Sequence, residues 1–197
     1  MTITNQKQFF NDSYQQWVLN LSDEKANIAK KTIELLGISK GSSVLDVGAG
    51  TGILYWALKE KELKNYIAVD ISEKMLEELK RIFPEANTMC LDFDQKVELE
   101  ESFDYIIIFN SIPHFENLDI VFENAYRLLK KGGKFSITHG RTREGIKEHH
   151  KKIGYNHGRE PIPSDDTLIR LSNKYGFQNV VIQDKGIFFF SSVKDII

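Results

Sequence analysis

The chain of 197 residues has a single cysteine, four prolines and no excess of one charge sign. One cysteine, Cys90, excludes an internal disulfide and suits a reducing compartment. Lysine and arginine total 26 against 28 aspartates and glutamates, a net charge of −2. A global electrostatic argument for nucleic acid or an anionic membrane is therefore missing. The longest apolar run, Tyr105 to Phe109, falls far short of the roughly 20 residues that span a bilayer and reads as a buried strand. The first residues, Met1-Thr2-Ile3-Thr4-Asn5-Gln6, lack the basic and then apolar order of a signal peptide. Repeats, low-complexity tracts and Pro/Gly/Ser-rich linkers are missing too, which predicts one domain over 1–197 and cytoplasmic residence.

What is present is an alternation of strand and helix signals. Residues 6–37 read as helical, with Phe9, Phe10, Tyr14, Trp17, Val18 and Leu21 at helical spacing, a cap at Ser22-Asp23-Glu24 and a stop at Gly37. From Ser43 onward, strands are predicted over 44–47, 66–69, 88–91, 103–109 and 134–138. Helices are predicted over 53–61, 73–83, 119–130 and 165–174, the third stopped by Gly132-Gly133 and the fourth capped by Asp165. Two closing strands, 179–183 and 187–192, are separated by Asp184-Lys185-Gly186 and suit an antiparallel hairpin. This predicts an α/β fold of about seven strands, mostly parallel, with helices on both faces and ligands at the carboxyl ends of the strands. Residues 140–164 break the rhythm. They are polar, carry Arg141, Arg143, His149, His150, His157 and Arg159, and read as an inserted helix and loop above the strand ends.

The chemistry concentrates at four strand ends. The first is Val44-Leu45-Asp46-Val47-Gly48-Ala49-Gly50-Thr51-Gly52, where glycines permit positive φ and close approach of a ligand to main-chain N–H groups. A dinucleotide fingerprint wants a further glycine where Ile53 stands, and no Gly-Lys-Ser/Thr of a P-loop follows. The second is Asp70, about 20 residues on, where a carboxylate can accept both hydroxyls of a ribose. The third is Asp92 with Phe93, an acceptor for an exocyclic amine beside an apolar neighbour. The fourth is Asn110-Ser111-Ile112-Pro113-His114-Phe115, which brings an amide, a hydroxyl, an imidazole and an aromatic ring to one mouth.

With these elements in this order, the chain resembles the class I S-adenosylmethionine-dependent methyltransferases, and among them the small-molecule branch of menaquinone- and ubiquinone-biosynthesis type. The resemblance is carried by Val44 to Gly52, by Asp70-Ile71-Ser72-Glu73-Lys74-Met75-Leu76, by Asp92, by Phe103-Asp104 and by Arg127 to Gly133. It implies a Rossmann-like, doubly wound sheet of seven strands, mostly parallel with an antiparallel C-terminal hairpin strand. It implies that Asp46 and the backbone of Gly48, Ala49, Gly50 and Gly52 hold the methionine moiety, Asp70 the ribose, and Ile71 and Met75 the faces of the adenine. Asp92 and Phe93 would read the adenine, and Asn110 and Ser111 would lie near the sulfonium. Tyr14 and Trp17 would belong to an N-terminal helical lid over 1–40, above a cofactor-binding core of 43–139, with 140–164 over the mouth and 165–197 closing the sheet. S-adenosylmethionine would be the cofactor and S-adenosylhomocysteine its product.

The acceptor expected on this reading is a small molecule. Ser111-Ile112-Pro113 stands where nucleic-acid amino-methylating enzymes carry Pro-Pro-Tyr, which lowers the nucleic-acid alternative. An RNA or protein acceptor, or a non-catalytic cofactor-binding protein, stays as the competing reading. His114 is the first candidate for a general base or substrate contact and His139 the second. His114 equally fits an ordinary loop histidine, Asn110 a strand-end cap, Asp92 a surface turn, and Tyr14 and Trp17 a packed helix face. The arginines of 140–164 fit either an anionic substrate or a solvated face. The histidines match no compact metal motif, so no metal is expected, and Cys90 reads as a small buried core residue.

Overall fold

The computed structural model describes residues 3–19, 22–152, 154 and 159–195; Leu21 and His157, named above, lie outside them. Seven strands form one sheet: β1 (Ser43–Val47), β2 (Asn65–Asp70), β3 (Thr88–Cys90), β4 (Phe103–Phe109), β5 (Leu129–His139), β6 (Phe177–Lys185) and β7 (Ile187–Lys194). Their order is β3-β2-β1-β4-β5-β7-β6. β1 pairs in parallel with β2 on one side and β4 on the other, so the chain direction across the sheet reverses between them. β7 enters antiparallel between β5 and β6, which makes the closing pair the expected hairpin.

The helices are α1 (Ile3–Ser13), α2 (Asp23–Leu36), α3 (Ile53–Leu58), α4 (Glu73–Ile82), α5 (Leu118–Leu128), α6 (Arg143–Lys152) and α7 (Asp165–Tyr175). All five residues of β1 are buried, as a parallel strand covered on both faces requires. Alternation along the strands divides the core. Leu45, Val47, Ile106 and Ile108 pack with Phe122 and Leu128 of α5 and with Leu168 and Leu171 of α7. Val44, Ala68, Ile107 and Phe109 pack with Ile33 and Leu36 of α2, Leu54 and Leu58 of α3 and Leu79 of α4.

Local chemistry explains most boundaries. The Ser22 and Ser72 hydroxyls accept from the third backbone N–H of α2 and α4, and Gly37 and Gly176 close α2 and α7 in the left-handed conformation. Four expectations are corrected. The helix expected to run to Lys130 stops at Leu128, because Leu129 already pairs with Phe103 and opens β5. Gly132 and Gly133 then form a bulge inside that strand rather than a helix stop; a Cβ on Gly133 would meet the Phe103 carbonyl at 3.0 Å. The cap of α7 is Ser164, whose hydroxyl accepts from the Thr167 N–H, and Asp165 is the first helical residue. Cys90 is exposed rather than buried, since β3 is a three-residue strand at the edge of the sheet.

Candidate functional site

The site begins where β1 ends. Gly48, Gly50 and Gly52 have φ of +70°, +54° and +96°, a left-handed sequence that side chains other than glycine resist. The Gly48 and Ala49 N–H groups share the Val69 carbonyl at 2.8 and 3.0 Å, which ties the turn to the end of β2. A Cβ on Gly48 would stand 2.5 Å from the Ser111 hydroxyl oxygen, and one on Gly52 would stand 3.0 Å from Leu79. At Gly50 a Cβ would meet nothing within 4 Å, so the crest of the turn faces open space.

Asp70 closes β2 and locks this turn. Its carboxylate accepts the Gly50 N–H at 2.8 Å and the Ser72 N–H at 2.9 Å, joining the glycine turn to the start of α4. Burial raises its pKa above the ordinary carboxylate value, while the Ser72 and Gly50 N–H groups pull it back.

Asp46, on β1 two residues before Gly48, is 1% exposed. One oxygen accepts the Tyr66 hydroxyl at 2.6 Å. The other, Oδ1, is buried with no hydrogen-bond partner. Burial pushes this carboxyl up to about 7, against the Tyr66 hydrogen bond and with the Asp70 charge. A buried, half-satisfied carboxylate is costly, and among the described residues none donates to this oxygen.

The other strand ends frame the turn. Ile71 is half-buried and Met75 is 3% exposed, the latter at the first turn of α4. Asp92 is half-buried and accepts the Asp94 N–H at 2.9 Å, and Phe93 lies in the core, 3% exposed. The Ser111 hydroxyl donates to the Val47 carbonyl at 3.2 Å, beneath Gly48. Asn110 has φ of +57°, and its side-chain oxygen accepts the Gly140 N–H at 2.7 Å, so this strained residue fastens the end of β4 to the turn after β5.

The N-terminal segment lies across this mouth. The Thr51 hydroxyl donates to the Trp17 carbonyl at 2.6 Å, and the Ser72 hydroxyl donates to Asn11 at 2.7 Å. Lys7 pairs with Glu73, and Gln6 donates to Glu116. Phe10 meets the His114 ring edge-on at 4.9 Å, and Trp17 meets it at 6.5 Å. Tyr14 is half-buried in the same segment, in a short 3-10 turn over Tyr14–Trp17. Phe10, Asn11 and Thr51 were not singled out from sequence. Phe10 read as one of many apolar positions on a helix, and the other two are polar residues with no motif of their own. Tyr66 was missed as well, because its link to Asp46 depends on the register of β1 and β2.

His139 ends β5 and is 6% exposed. Burial, then the charges of Arg141, His150 and His149, holds its pKa down at about 4. Its Nδ1 stands 3.0 Å from the Arg141 backbone N and 3.2 Å from the Arg141 carbonyl oxygen, and the tautomer decides which of the two it bonds. Of the arginines, Arg143 is taken by Asp165, Asp184 and the Pro163 carbonyl, and Arg159 by the Pro113 carbonyl. Among the described residues, no three His, Cys, Asp or Glu side chains gather as a metal site, and no helix is long and apolar enough to cross a membrane.

Comparison with known proteins adds four findings. A family profile described as a methyltransferase domain matches residues 45–135. The uncharacterized methyltransferase YdaC of Bacillus subtilis is 30% identical over 60% of this chain and 67% of its own length. The ubiquinone/menaquinone biosynthesis C-methyltransferase UbiE of Rickettsia prowazekii is 30% identical over 71% of this chain and 60% of its own length, so part of that relative has no counterpart here. The structure of magnesium protoporphyrin IX methyltransferase from Synechocystis PCC 6803 with bound SAH superposes with a TM-score of 0.71, covering 98% of this chain and 99% of that one. Its identity is 17%, so that likeness is one of fold.

Proposed function

The chain belongs to the methyltransferase-domain family, of the class I S-adenosylmethionine-dependent kind, and from that premise we propose that it transfers a methyl group to a small-molecule acceptor. The observation that carries the reading is the orphaned, buried Asp46 oxygen beneath a turn of three left-handed glycines, at the point where strand order reverses. Asp46 would there hold the ammonium group of an amino-acid cofactor, which would offer the donor that this oxygen lacks. Bound S-adenosylmethionine supplies an electrophilic methyl on a sulfonium; what remains for the protein is to bind, orient and exclude water.

On this proposal Asp46 and the Gly48–Gly52 turn hold the methionine end. The Asp70 carboxylate, held by the Gly50 and Ser72 N–H groups, accepts from the ribose hydroxyls. Ile71 and Met75 flank the adenine, Asp92 accepts from its amine, and Phe93 fixes that turn from the core. Asn110 and Ser111 stand nearest the sulfonium. Residues 1–40 act as the lid, 43–139 as the cofactor core, 140–164 as the cover of the acceptor side and 165–197 as the closing elements. Phe10, Trp17 and His114 form the aromatic side of the lid, which keeps water from the reacting methyl. Alignment of nucleophile and methyl is the large term in such a displacement. His114 is the first candidate base and His139, buried at the end of β5, the second.

The experiment is to incubate the protein with methyl-labelled S-adenosylmethionine and a cell extract separated into small-molecule, protein and RNA fractions. Label is expected in the small-molecule fraction. Label confined to protein or RNA overturns the small-acceptor reading.

A further inference from the structure

A cavity of about 350 Å³ opens on the other side of Asn110 from the glycine turn. Gly140, which directly follows β5, and Gly186 of the β6–β7 turn line it. Glu148, His149 and Lys152 of α6 line it too, as does Arg141, just before that helix. It thus lies over the carboxyl end of β5, on the same edge of the sheet as the glycine turn. The Gly140 N–H to Asn110 bond at 2.7 Å joins the two.

The lining is basic: Arg141, His149 and Lys152 against Glu148. Other cationic side chains nearby are spent. Arg143 is held by Asp165 and Asp184, Lys147 by Glu160, and Arg159 by the Pro113 carbonyl. Among the described residues, the guanidinium of Arg141 makes no hydrogen bond or ion pair. The crowding of positive charge also acts on its neighbours: after burial, the charges of His149 and Arg141 hold the His150 pKa below its ordinary value. The chain as a whole carries −2, so this concentration is local.

We propose that this cavity seats an anionic group of the methyl acceptor, an oxyanion such as a phosphate or a carboxylate, with Arg141 as its main partner. The planar guanidinium offers paired donors that match two oxygens of such a group, and Lys152 adds a point charge. The inference rests on the methyl-transfer reading above. A lining interrupted by Glu148 suits a small anion rather than the extended backbone of a nucleic acid, for which a stripe of uninterrupted positive charge is the usual footprint.

The test is an NMR titration of the amide-labelled protein, saturated with S-adenosylhomocysteine, with inorganic phosphate and separately with acetate. One or both are expected to move the amide signals of Gly140, Arg141, Gly145 and Gly186, and the stronger of the two identifies the class of anion. In the Arg141→Ala/Lys152→Ala variant the affinity is expected to fall about tenfold or more, with S-adenosylhomocysteine affinity unchanged. No movement of those amides with either anion, or the same affinity in the variant, overturns the proposal. A short single-stranded oligonucleotide that binds there far more tightly than phosphate overturns it as well, in favour of a nucleic acid. If wild-type protein does not bind S-adenosylhomocysteine at all, the methyl-transfer reading fails instead, and the same titration without it still decides whether the cavity takes an anion.

Discussion

On one side of the switch point, the turn after β1 is pinned from every direction. Val69, Asp70 and Ser111 hold it by hydrogen bonds or contact, and the Trp17 carbonyl closes on Thr51. On the other side, the turn after β5 opens onto a basic cavity whose Arg141 has no hydrogen-bonding partner for its guanidinium among the described residues. The first half is complete except for one carboxylate oxygen; the second has charge and space but little internal bonding. A site that takes the same cofactor in every turnover can be built of backbone geometry. A site that chooses an acceptor needs exchangeable side chains on a surface loop.

If that contrast is real, damage to the pinned half is severe and specific. The largest effect is expected for Gly48→Ala, which combines a left-handed φ with a Cβ 2.5 Å from the Ser111 oxygen. Strain and overpacking together predict a loss of about 2–4 kcal/mol in urea unfolding, along with cofactor affinity. Adding Ser111→Gly is expected to restore part of the stability; no restoration would mean the turn is not limited by that contact.

A smaller effect is expected for Tyr66→Phe, which removes the only described donor to Asp46. Because the Asp46 pKa in the folded chain is about 7, above its unfolded value, the protonated form is favoured by folding and its contribution to stability declines as pH rises between about 4 and 7. Losing the hydroxyl raises that pKa further. Urea unfolding is therefore expected to show a cost of about 1–3 kcal/mol at pH 8, where Asp46 is charged, and a smaller one at pH 5. A cost that does not change with pH would show that Tyr66 only packs. In the binding experiment, the pH at which S-adenosylhomocysteine affinity falls off is expected to move upward in the variant.

The two halves also differ in how far sequence alone reaches. The sheet was legible because strands such as Phe103–Phe109 are continuous apolar runs and because Ser22, Ser72, Gly37 and Gly176 punctuate the helices by local chemistry. The glycine turn was legible for the same reason: its positive φ angles are written in glycine spacing. The misread boundary at Lys130 depended on a long-range pair, Leu129 with Phe103, and the exposure of Cys90 depended on β3 being an edge strand. Asp46 stood out in the sequence before the glycines, but its bond to Tyr66 did not, because it needs the strand register. The basic cavity was legible only as residue types on a polar insertion; which arginine is free and which are tied down follows from Asp165, Asp184, Pro163 and Pro113, contacts that no local pattern encodes.

The central claim is that the glycine turn with Asp46 and Asp70 is a cofactor cradle. Calorimetry with S-adenosylhomocysteine tests it most directly, on the wild-type protein and on Asp70→Ala with its fold checked by thermal melting. Saturable binding by the wild type, weakened about tenfold or more in the folded variant, is the predicted result. No heat of binding to the wild type at ligand concentrations of about 1 mM, or equal affinity in the two proteins, would contradict the account.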